Sequence, residues 1–125
     1  MATVLMSLSI EVRQKDDAII LELAGRLSVL QPTFRQRAWE LIQHGHLFFV
    51  INLGNVSYLD NSGLGQLCWI YTVVRNRGGD MVLLRPTSRI KKLLNITRLD
   101  TVFRSFDHEA DAVASMQPLR STVSA

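Results

Sequence analysis

At 125 residues, 47% of them hydrophobic, the chain has material for one buried core and hardly for two. Its formal net charge is +3, and the 14 Lys and Arg are interleaved with 11 Asp and Glu, which argues against direct nucleic-acid binding. The single cysteine, Cys68, excludes an internal disulfide framework and a cysteine-based zinc cluster, and no segment reaches the roughly 18 uninterrupted apolar residues of a membrane span.

Ser7 to Lys15 alternates, with Leu8, Ile10 and Val12 on one side and Ser9, Glu11 and Arg13 on the other, the pattern of a half-buried strand. Asp16-Asp17 makes a turn into a second strand, Ala18 to Ala24, so an antiparallel hairpin is expected, with Gly25 ending it. From about Leu30 to His44 the spacing becomes helical through Phe34, Ala38, Leu41 and Ile42, with Pro32 suited to the first turn and Gly45 to the C-cap. Leu47 to about Leu53 is apolar almost throughout, as in a central strand covered on both faces, and Asn52 with Gly54-Asn55 marks its end.

After Ser62, the positions Leu64, Leu67, Cys68, Tyr71 and Val74 follow helical spacing until Gly78-Gly79 stops it. Asp80 to Arg85 reads as a buried strand, and Pro86-Thr87-Ser88 opens a helix through Ile90, Leu93 and Leu94. Thr101 to Phe106 is expected as a short last strand and Glu109 to Met116 as a final helix. Residues 117–125 are polar, contain Pro118 and read as a flexible tail behind one domain at 1–116. The order predicts an α/β domain: a mixed, mostly parallel sheet that starts with an N-terminal hairpin and is covered by about four helices. The N-terminus shows no basic region followed by a long apolar stretch, so a cytosolic, monomeric protein is the expectation.

The segment Asp60-Asn61-Ser62-Gly63-Leu64-Gly65 places a hydroxyl between an apolar strand and a helix start, at the carboxyl end of the sheet where functional crevices of such folds lie. Ser62 there can cap free N–H groups, the glycines allow close approach of another protein, and a helix N-terminus tolerates an added phosphate. Catalysis is not supported. The residue two before Ser62 is Asp60, so the Gly-x-Ser-x-Gly elbow is absent, and nothing brings His44, His46 or His108 to Ser62 as a base. A Walker loop does not occur, and no spacing joins Asp60 with Asp80 or Glu22 into a metal cluster.

The run Val56-Ser57-Tyr58-Leu59-Asp60-Asn61-Ser62-Gly63-Leu64-Gly65 resembles the signature loop of the STAS domain found in bacterial anti-sigma-factor antagonists, where Asp-Ser-Ser-Gly-Leu-Gly is typical. Asn61 stands in place of the first serine. Gly25-Arg26-Leu27, Gly78-Gly79 and the stretch Ile90 to Phe103 extend the resemblance over roughly 7–116. One position departs: after the Gly-x-Leu of the second strand the family commonly carries Asp, and here Ser28 follows.

The resemblance implies a protein without catalytic chemistry or cofactor. Such a protein binds an anti-sigma-factor serine kinase, frees a sigma factor, and is switched off when the kinase phosphorylates Ser62. A serine phosphatase would reset it. The partner-facing residues implied are Asp60, Asn61, Ser62, Gly63, Leu64 and Gly65. Trp69, which with Val73 lies on a different side of the helix from Leu64 and Leu67, joins them as a candidate contact or packs beneath a neighbouring segment. Ser57 is a weaker acceptor. Arg85, Arg89, Lys91 and Lys92 form a basic cluster that reads foremost as a solvated helix face. The alternative function is a STAS scaffold or ligand-sensing module in a signalling or transport assembly without phosphoryl control.

Overall fold

The computed structural model describes residues 8–28 and 33–116. The predicted hairpin is formed by β1 (Leu8–Lys15) and β2 (Ala18–Leu27), joined by a turn in which Asp16 takes a left-handed φ of 55°. Helix α1 (Thr33–Gln43) leads into β3 (Phe48–Leu59), α2 (Asn61–Asn76), β4 (Asp80–Leu84), α3 (Ser88–Ile96), β5 (Ser105–Phe106) and α4 (Glu109–Ala114). The sheet order is β1-β2-β3-β4-β5, with β1 antiparallel to β2 and every other pair parallel. Among the described residues no helix is long and apolar enough to cross a membrane.

Strand alternation divides the interior into two layers. Ile19, Leu21, Leu23, Phe49, Ile51, Leu53, Met81 and Leu83 point to the face covered by α1, α2 and α3, where Phe34, Ala38, Leu64, Leu67, Ile70, Val74, Ile90 and Leu94 meet them. Three parallel crossovers of one hand, each stepping to the next strand in the same direction, put their helices on the same side. The opposite face, with Ala18, Ile20, Phe48, Val50, Val82 and Leu84, is closed by α4 through Ala112 and Val113, followed by Met116. Arg13 on β1 reaches Glu22 on β2 and Glu109 on α4, both at 2.5 Å, and so ties the hairpin to this last helix.

Both glycine-marked strand ends are overrun. Gly25 adopts φ 109° yet stays paired with Leu8 and Val56, and β2 runs on to Leu27. Likewise β3 continues past Gly54-Asn55 to Leu59. Between Glu22 and Ala24 of β2, β3 advances from Asn52 to Asn55, and between Gly25 and Arg26 from Val56 to Tyr58, so β3 holds two extra residues in bulges. At the first bulge Asn52 Oδ1 accepts the N–H of Gly54 at 3.0 Å, so the polar residues that resemble a terminator instead support an irregularity.

The expected last strand shrinks to Ser105–Phe106. Leu99–Thr101 form a 3-10 turn, and Phe103 is buried in the main layer, where its ring meets Tyr71 edge-on with centroids 5.4 Å apart. The residues expected to open the first helix, Leu30 to Pro32, and the expected tail, 117–125, lie outside the described residues.

Candidate functional site

The extended β2 and β3 carry the chain from Leu59 directly into α2, whose first turn rests against the end of β2. Asp60 is the N-cap: its backbone is extended, φ −113° and ψ −173°, and its Oδ1 accepts the N–H of Gly63 at 2.9 Å. Its own carbonyl accepts the N–H of Leu64 at 2.9 Å. The capping role expected of Ser62 therefore belongs to Asp60. Ser62 sits inside the helix at its second residue, half-buried, and among the described residues its Oγ makes no hydrogen bond. Asn61 before it is exposed. The N–H groups of Asn61 and Ser62 have no acceptor among the described residues, as expected for the first turn of a helix.

The glycines of the motif divide in role. At Gly63 a Cβ would lie 2.3 Å from the Leu27 carbonyl oxygen and 2.5 Å from Leu59 Cδ1, so this residue lets α2 close onto its own sheet. It is buried, as is Leu64, and neither presents a side chain to a partner. Gly65 is exposed, with nothing within 4 Å of a built Cβ, and is the one of the two that leaves the helix backbone open to approach.

Ser62, Gly65, Trp69 and Val73 recur at helical spacing and form one stripe along the flank of α2, half-buried except at the exposed Gly65. Trp69 is half-buried because it packs on Trp39 of α1, ring centroids 5.7 Å apart at 59°, with Arg35 stacked 4.2 Å from its own centroid. The residues of α1 that build this contact, Arg35 and Trp39, were detectable as neighbours four apart on one helix face, but their partner across the helix pair was not. The other side of α2 is the core stripe Leu64, Leu67, Ile70 and Val74, whereas Cys68 and Tyr71, expected in that stripe, are half-buried at its flanks. Burial pushes the Cys68 thiol above its ordinary range, which keeps it protonated and a poor nucleophile.

Ser28, which replaces the family's Asp, is 3% exposed, and its carbonyl accepts Gln66 Nε2 from the first turns of α2 at 3.2 Å. A buried hydroxyl there offers no charge to an outside protein. Arg26 beside it lies 4.0 Å above the Tyr58 ring, and Ser57 is the exposed extra residue of the second bulge. In the basic cluster, Arg85 donates to the Asp107 carbonyl at 3.2 Å, while Arg89, Lys91 and Lys92 are exposed on α3. His44 is held by the Glu40 carbonyl at 2.8 Å, and among the described residues no three of His, Cys, Asp and Glu gather where they could hold a metal ion.

Comparison with known proteins agrees with this architecture. The family model described as STAS domain matches residues 9–112. An anti-sigma F factor antagonist of Paenibacillus polymyxa is 26% identical over 114 residues, covering 90% of this chain and 97% of the relative. An anti-sigma-B factor antagonist of Bacillus subtilis is 30% identical over 98 residues, covering 78% of this chain and 89% of the relative. Among solved structures, the fold is similar to that of SpoIIAA, a Bacillus cell fate determinant, in its phosphorylated form. The TM-score is 0.69 at 18% identity, covering 86% of this chain and 98% of that one.

Proposed function

The chain belongs to the STAS domain family, and on that premise we propose that it is an anti-sigma-factor antagonist that binds an anti-sigma-factor serine kinase in the cytosol, releases a sigma factor, and is switched off by phosphorylation of Ser62. The observation that carries the reading is the unused hydroxyl of Ser62 in the first turn of α2, beside a cap that Asp60 already supplies. Because among the described residues no hydrogen bond depends on Ser62 Oγ, a phosphate there is expected to leave the fold in place.

The modified serine carries about −1.5 to −2 charges and three acceptor oxygens. The first-turn N–H groups and the helix dipole favour that anion by only about 0.3–1 kcal/mol, and the Asp60 carboxylate one turn-edge away opposes it. The effect is exerted at the interface. A dianion lodged in a desolvated contact without a counter-charge costs several kcal/mol, and a thousandfold loss of affinity needs about 4 kcal/mol. A phosphatase restores the hydroxyl.

The test is cross-linking of the chain to its partner in source cells, followed by incubation of the purified partner with ATP and the chain. One phosphate on Ser62, absent in Ser62→Ala, together with at least tenfold weaker binding of the phosphorylated form, is the expected result. A partner that binds the phosphorylated and unmodified chains equally removes the switch.

A further inference from the structure

The stripe that begins at Ser62 ends in a surface that the switch does not use. Arg35, Gln36, Trp39 and Trp69 line an open groove of about 480 Å³ between α1 and α2. Its floor is the tilted indole pair. Arg35 stacks 4.2 Å from the Trp69 centroid, and Arg77, just past α2, lies 5.3 Å from that of Trp39. A guanidinium laid on an aromatic face keeps its edge N–H donors available in a fixed fork that fits a carboxylate. Among the described residues neither the Arg35 nor the Arg77 side chain has a hydrogen-bond or ion-pair partner.

The surrounding charge is mostly positive. Helices α1 and α2 carry Arg35, Arg37 and Arg75, followed by Arg77, against the single carboxylate of Glu40. Arg75 is already engaged, 3.8 Å from the buried Asp80.

We propose that this groove is a second anchoring point for the protein partner, accepting an acidic segment in which an apolar side chain lies on the packed tryptophan pair while a carboxylate on each side is held by Arg35 and Arg77. The inference rests on the reading of α2 as partner-facing and adds to it the chemistry of what is bound. A purely apolar occupant would leave two guanidinium edges desolvated and unpaired. A basic occupant would meet like charge. Trp69 lies seven residues from Ser62 on the same helix face, about 10 Å along the axis, so one partner covering both is of ordinary size.

The chain holds two tryptophans, Trp39 and Trp69, and both are in the groove, so fluorescence excited beyond the absorption of Tyr58 and Tyr71 reports this site. The full chain is titrated with the peptide acetyl-Glu-Leu-Leu-Glu-amide and with its Gln-Leu-Leu-Gln counterpart. A saturable change in indole emission is expected with the acidic peptide, at least tenfold weaker with the neutral one and in Arg35→Gln or Arg77→Gln. Each variant is first shown to melt as the wild type does. Equal responses to the two peptides, no response, or an emission change that follows protein concentration alone overturns the proposal. Ser62→Ala is expected to bind the acidic peptide as the wild type does, so loss of the phosphorylation switch leaves this result standing, and the reverse also holds.

Discussion

Gly63→Ala and Gly65→Ala fall within one turn of α2, and the packing gives them opposite signs. At position 63 the added Cβ meets the Leu27 carbonyl oxygen at 2.3 Å and the carbonyl carbon at 3.1 Å. These are backbone atoms of a strand paired with Leu59, so they do not swing aside as a side-chain tip would. The first turn of α2 has to lift by roughly 1 Å, and overpacking of this kind costs about 1–3 kcal/mol. The lift also stretches the Gly63 N–H to Asp60 Oδ1 bond of 2.9 Å, the cap of the helix. Helix propensity returns about 0.5–1 kcal/mol, which leaves a net destabilisation of about 1 kcal/mol. At position 65 the Cβ meets nothing within 4 Å. There the propensity gain and the smaller entropy of the unfolded chain act unopposed, for about 0.5–1 kcal/mol of stabilisation. Urea unfolding of the two variants beside wild type measures both, with unchanged slope as the check that only stability moved. A Gly63→Ala midpoint at or above wild type refutes the close seat of α2 on β2, and a clear loss of stability in Gly65→Ala refutes the open surface at that turn.

Three further substitutions follow from individual contacts. Asp60→Ala removes the N-cap of α2 and is expected to lower stability by about 1 kcal/mol, whereas Asp60→Asn retains an acceptor oxygen and most of that contribution, as denaturant midpoints will register. Hydrogen bonding from Arg13 holds the Glu109 carboxyl below its ordinary value of 4.5. A depressed folded-state value means that the contribution is complete above about 4.5 and fades as pH falls through the folded value; with Arg13 43% exposed it is worth only about 0.2–1 kcal/mol. Glu109→Gln should therefore lower stability by about that 0.2–1 kcal/mol at neutral pH and converge with the wild type as pH falls below the carboxylate range, and a difference that stays the same at every pH would contradict the tie. Arg104 pairs with the buried carboxylate of Asp80, whose other oxygen accepts the Met81 N–H at 2.8 Å. Arg104→Met leaves that carboxylate with Arg75 at 3.8 Å as its remaining cation and is expected to lower stability by about 1–3 kcal/mol in the same assay.

What the chain discloses before folding follows the length over which each physical signal acts. The stripe Leu64, Leu67 and Val74 and the apolar run at Phe48 to Leu53 extend over several turns or a whole strand, and both elements stand where periodicity puts them. Strand ends were misplaced because Gly25 and Asn52-Gly54 are punctuation on any local scale. Only the neighbouring strand, paired on both sides of each bulge, decides that they interrupt a ladder without ending it. The same limit applies at the site. Asp60, Ser62 and the two glycines could be selected from sequence, but whether Asp60 or Ser62 caps α2, and which glycine faces inward, depends on Leu27, more than thirty positions earlier. The Trp39 and Trp69 contact joins two helices across a strand, so neither helix pattern alone reveals it.

A serine that both capped a helix and accepted a phosphate would couple signalling to stability, since modification would remove the acceptor that holds the first turn. On the proposed reading the two tasks fall on different side chains. Asp60 supplies the cap, Gly63 the tight seat and Leu64 the core contact, which leaves Ser62 between them with no side-chain hydrogen bond to lose among the described residues. The bulges in β3 serve the same separation: two residues beyond the β2 register let the strand carry Tyr58 and Leu59 to the very start of α2, so the loop is a single N-cap residue with little freedom of its own. A phosphate at Ser62 would thus be presented from a rigid platform. Its charge would be felt by whatever docks on the stripe from Ser62 through Gly65 to Trp69, with no energy diverted into rearranging the domain that carries it.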